Sequence, residues 1–79
     1  MNLDDMDFEE KEELAERSTD PEVLEQLSKD DYVAVRRAVA RNENCPPHVL
    51  IELSTDDSAY VRYNVAENKN CPPYTLEEP

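Results

Sequence analysis

The chain has 79 residues, of which 20 are acidic and 8 basic, giving a formal net charge of −12, and it contains no glycine. A chain this short holds one domain with a modest core, and the lack of glycine excludes the glycine-rich loops that cradle phosphates. A pI near 4.2 excludes nucleic acid and anionic bilayers as partners, because both need neutralising Lys and Arg, and favours a protein partner of basic or mixed charge.

No apolar run is long enough to span a bilayer, and no basic segment precedes an apolar one, so neither a membrane anchor nor a secretory signal is predicted and the expected location is cytoplasmic. The N-terminal part carries most of the charge, with 13 acidic and 3 basic side chains in residues 1–31. Residues 7–16 are predicted to form an acidic capping helix, with carboxylates near its positive end and Phe8 as the expected anchor. Leu14 and Ala15 read as the end of a degenerate repeat, one residue out of register with the later units.

From Pro21 onward the sequence repeats. Sliding residues 21–53 onto 47–79 leaves more than half of the positions identical, Leu24, Leu27, Asp30, Asp31, Val35, Arg36, Val39, Asn42, Cys45 and Pro46 among them. In the first unit Pro21 suits the first turn of a short helix whose inner face is Val23, Leu24 and Leu27. Asp30 and Asp31 then read as turn and N-cap residues of a second helix running to about Arg41, with Val35, Ala38 and Val39 as its buried stripe. Asn42 and Asn44 stand where this helix ends, in a position where asparagine can take the left-handed conformation that glycine often fills, and Pro46 blocks continuation. The second unit repeats the pattern with Val49, Leu50, Leu53, Asp56, Asp57, Val61, Val65 and Ala66, ending at Asn68, Asn70 and Pro72. A third begins at Pro73 and Tyr74.

These features predict an all-α chain, a short right-handed α-solenoid of helix pairs with a period of 26 residues. It is divided as a capping helix and turn in 1–20, repeats in 21–46 and 47–72, and a truncated repeat start or tail in 73–79, all within one domain, 1–79. The strings VRRAVARNENCPPHVLIEL and VRYNVAENKNCPPYTLEEP, each following an Asp-Asp turn, resemble the leucine-rich repeat variant family and, more loosely, HEAT-like repeats. The resemblance implies a solenoid pairing an α-helix with a shorter helix that could be 3₁₀, and it implies no common activity.

Cys45 and Cys71 occupy equivalent places in neighbouring units. Packed helices lie about 8–10 Å apart, beyond the Cα separation of roughly 7 Å that a disulfide spans. With the lone His48 they supply three ligands, one short of a structural zinc set, so small buried thiols are the expected reading and no cofactor is predicted. Arg36 and Arg62 recur with Asp30, Asp31, Asp56 and Asp57 at fixed spacing and read as structural ties between turns, within a unit or across to the next. Asn42 and Asn68 read as cap residues. Tyr60, Tyr63 and Tyr74 gather near the C-terminal end, either as an interaction surface or as a cover for the end of the stack. No pair of groups suited to acid–base catalysis emerges. The functional expectation is a non-enzymatic scaffold or protein-interaction module that binds a protein partner or a second copy of itself. The alternatives are an acidic mimic of nucleic acid that inhibits a basic DNA-binding protein, and a metal or redox site at the two cysteines.

Overall fold

With six prolines and no glycine, the backbone turns without any left-handed residue: none of the described residues has a positive φ. The structure is a computed structural model and describes residues 3–72. A single 3₁₀ turn, Leu3–Asp5, precedes five α-helices: α1 (Phe8–Arg17), α2 (Pro21–Leu27), α3 (Val33–Arg41), α4 (Pro47–Leu53) and α5 (Ala59–Glu67). No strand occurs among the described residues.

The helix starts follow from local chemistry. At the head of α1, Asp7 accepts the Glu10 N–H at 2.9 Å while Glu10 accepts the Asp7 N–H at 3.1 Å, a reciprocal capping box. Pro21 and Pro47 open α2 and α4, where the missing N–H costs nothing. Both proline-headed helices are α rather than 3₁₀, closing with Leu24 N–H to Asp20 C=O and Leu50 N–H to Pro46 C=O.

The N-caps of α3 and α5 are Tyr32 and Ser58, not the aspartates. Asp30 and Asp56 stand two residues earlier and accept the Tyr32 and Ser58 N–H groups at 3.0 and 2.9 Å, each closing a side-chain turn. At the other end, Asn42 and Asn68 are C-cap residues in extended conformation. Their side chains, and not a left-handed backbone, end the helices.

Helix α3 packs between α1 and α5, and α2 and α4 fill the spaces between successive long helices. The shared core comprises Ala15, Leu24, Leu27, Val35, Ala38, Val39, Ala40, Cys45, Val49, Leu50, Leu53, Val61 and Val65. Each buried leucine contributes about 1.5–3 kcal/mol, so the three apolar residues each short helix brings to this interior hold it against its neighbours. Ala66 departs from the predicted stripe: it is exposed, whereas Ala40 in the corresponding place on α3 is buried, because α5 covers α3 and no described helix covers α5. Phe8 also departs from its anchoring role. It is 43% exposed and lies against the exposed Tyr32 ring at 5.2 Å, leaving Ala15 and Leu14 to seat α1 on the core.

Candidate functional site

Two sets of polar ties join successive helices, and their pattern shows where the surface is unfinished. In the first, each long helix carries a cation as its fourth residue. Lys11 of α1 donates to Asp30 at 2.9 Å. Arg36 of α3 donates from Nε to Asp56 Oδ2 at 2.8 Å and from Nη2 to Oδ1 at 3.4 Å, while its Nη1 donates to the Asp30 and Asp31 carbonyls. The fork thus clamps its own turn and the next one together. Asp57, like Asp31, is exposed, and the carboxylates that take the cations are those of Asp30 and Asp56.

The second set runs the opposite way along the chain. Asn42 is 2% exposed and its Nδ2 donates back to the Ala15 and Ser18 carbonyls at 2.8 and 2.9 Å, while Oδ1 accepts the Asn44 N–H. Asn68 repeats this, donating to the Ala40 and Asn42 carbonyls at 2.8 Å each and accepting from the Asn70 N–H. No buried side-chain nitrogen or oxygen among the described residues lacks a partner, so these amides carry no unmet donor.

Ionisation follows the ties. Partial burial pushes the Asp30 carboxyl upward, but the Tyr32 N–H, Lys11 and Arg36 outweigh it and hold the group below its ordinary value. The bond to Asp30 raises Lys11 in turn. Burial pushes the Cys45 thiol up to about 12, which suits a packed apolar side chain and not a reactive thiolate. Cys45 carries a free thiol, and no group of three metal-ligating side chains occurs among the described residues. His48 is exposed and faces Glu25 at 3.6 Å.

The candidate site is the face of α5 that corresponds to the side of α3 against which α5 packs, where Ala40 is buried and Arg36 half-buried. Ala59, Arg62, Tyr63 and Ala66, at helical spacing, form one exposed stripe. Arg62 donates Nη1 to the Asp56 carbonyl at 2.5 Å, matching the bond of Arg36 to its own turn. The Nε and Nη2 edge, which in Arg36 takes the carboxylate, meets no carboxylate among the described residues. The Ala66 carbonyl, equivalent to the Ala40 carbonyl that Asn68 bonds, has no donor among them either. Tyr63 is 64% and Tyr60 69% exposed, and the Arg37 guanidinium lies over the Tyr60 ring at 5.8 Å from its centroid. Tyr74 lies outside the described residues.

This interlock of helix, asparagine and arginine can be set beside known proteins. Residues 33–58 match the leucine rich repeat variant family. The matched span runs from the start of α3 through α4 to Ser58, one helix pair with its turns. A search of curated proteins and one of solved structures each returned no match. The leucine rich repeat variant match describes a helical repeat module, and the all-helical architecture agrees with it. No described helix is long and apolar enough to cross a membrane.

Of this stripe the sequence singled out Arg62 and Tyr63 but not Ala59, and it read Ala66 as buried; it offered Arg36 the aspartates of its own and the next turn without choosing Asp56. The signal was present: the spacing from Lys11 to Asp30 is nearly that from Arg36 to Asp56.

Proposed function

We propose that the chain is a non-enzymatic solenoid module, one repeat domain over residues 1–79 with a 26-residue period, which docks on another protein through the outer face of α5. One observation carries this reading: where α3 holds the buried Ala40 and the half-buried Arg36 against α5, α5 presents an exposed Ala66 and Arg62 with Tyr63 beside them, and among the described residues no helix lies on them. Aromatic and arginine side chains are the common anchors of protein interfaces because they bury large area with few rotors to freeze. The stripe suits a partner that supplies a carboxylate and a small apolar surface. A scaffold of this kind contributes shape and spacing, and its role is set by what it holds together.

Photo-crosslinking tests it. A photoreactive residue at position 63 should capture a discrete protein in cell extract, and one at the exposed Lys29 of the α2 end should not. Equal capture at both positions, or capture of neither another protein nor a second copy of the chain at 63, would remove the α5 face from consideration.

A further inference from the structure

The two ends of the molecule are complementary halves of the same interlock. Each tie of the first set joins a cation at the fourth position of a long helix to a carboxylate two residues before the N-cap of the next: Lys11 with Asp30 ahead of Tyr32, and Arg36 with Asp56 ahead of Ser58. Continuing this register in both directions leaves one member of a pair at each end. At the C-terminal end it is Arg62, whose carboxylate-facing edge meets no carboxylate among the described residues. At the N-terminal end it is Asp5, two residues ahead of the N-cap Asp7. Asp5 is exposed. The N–H that its counterparts Asp30 and Asp56 accept is here taken by Glu10, so the Asp5 carboxylate is not committed to a turn.

The surfaces behind these two residues match as well. A cavity of about 360 Å³ on the N-terminal side is lined by Met6, Glu10, Glu13, Leu14 and Arg17. Glu10, Glu13, Leu14 and Arg17 hold the helix positions on α1 that Val35, Ala38, Val39 and Asn42 hold on α3, where Asn42 bonds back to the Ala15 and Ser18 carbonyls. It is therefore the side of α1 on which a preceding helix would sit. Arg17 stands where α3 and α5 carry the bridging Asn42 and Asn68, and its guanidinium can donate to a carbonyl as they do. The α5 stripe offers the Ala66 carbonyl for that bond, the Tyr63 ring for the Met6–Leu14 floor and Arg62 for an acidic rim. Of the acidic residues of α1, Glu10 and Glu13 line this cavity, and they supply the rim for Arg62 of the α5 stripe.

We propose that a second copy of this chain docks head to tail, its α1 seated on the α5 stripe and its Asp5 paired with Arg62. The inference rests on the docking reading of the α5 face and names its occupant. The contact is heterologous, so each added copy leaves one new end of each kind and growth does not close after two.

Charge reversal tests it on the full-length chain by sedimentation equilibrium over a concentration series. The native protein should rise from the monomer mass of 9.1 kDa with concentration and without a plateau at the dimer. R62D and D5R should each lose that rise, since like charges then face one another, and the double variant D5R/R62D should regain it with the pair reversed. Circular dichroism should show native helix content in all three, both residues being exposed. A native chain that stays at monomer mass throughout, or single variants that associate as the native does, overturns the proposal. A monomeric chain whose position 63 still captures another protein overturns the second copy as occupant and leaves the docking face standing. Association without capture of any other protein supports the second copy alone.

Discussion

Asn42 shows how much one side chain can hold. Its amide closes three hydrogen bonds from a buried position, two of them reaching 24 and 27 residues back to the Ser18 and Ala15 carbonyls. Asn42→Ala removes both donors and leaves the buried Ala15 carbonyl and the part-buried Ser18 carbonyl without them, so urea denaturation should show a loss of about 2–4 kcal/mol. Asn42→Asp preserves shape and the Asn44 bond but turns an acceptor toward two carbonyls. It should be at least as destabilising at neutral pH and recover part of the loss in acid as the carboxyl protonates. The corresponding changes at Asn68, which is less buried, should cost less. From the sequence, Asn42 was legible as a residue at a helix end. Its reach across the chain was not, because spacing along one segment cannot reveal a partner in the segment packed beside it. The left-handed conformation expected there is replaced by an extended one, since the side chain, and not the backbone, satisfies the neighbouring groups.

At the scale of elements, α1 is tied to the turn ahead of α3 through Lys11 and Asp30 as well as by its packing on α3. The sign of the pH effect follows from the two shifts. Asp30 is held below its ordinary value, so its contribution is present above the unfolded carboxyl value of 3.8 and disappears as pH falls through the lower folded value. Lys11 is raised, so its contribution is complete below 10.5 and fades as pH climbs through the higher folded value. Native protein should therefore have a higher urea midpoint than Asp30→Asn at neutral pH, with the gap closing below pH 3.8. A gap that persists in strong acid would mean the carboxylate charge is not what joins α1 to the turn. The helices α2 to α5 were legible because each has a proline or turn carboxylate at its head and apolar residues at helical spacing. Helix α1 was legible from the acidic residues near its start, but the seat it uses was not. Phe8 is the largest apolar residue there, yet the helix rotates to bury Ala15, which lets α1 approach α3 closely.

For the whole molecule, the apolar pattern alone was enough to indicate an all-helical chain with one continuous interior, because valine and leucine recur in the same places in each unit. The candidate docking face was less legible, since Ala66 and Arg62 look the same in sequence as Ala40 and Arg36. What separates them is whether anything lies on top, and that depends on position in the stack. The net charge of −12 opposes compaction throughout, and the ties between helices act locally against it. The interior is also thin: the molecule measures 39 × 22 × 14 Å, so every helix is within one side chain of solvent.

The ties from Lys11, Arg36, Asn42 and Asn68 all cross from one helix pair to another, and this dictates how the molecule comes apart. A helix with a neighbour on both sides must break two junctions to open, whereas one at the margin must break only one. Hydrogen exchange should accordingly find the slowest amides in α3 and progressively faster ones toward α1 and α5; uniform rates across the three would mean that the chain opens all at once. Such a molecule melts from its margins inward, as a zipper does. A partner resting on α5 would slow the opening of α5 without changing a bond inside it.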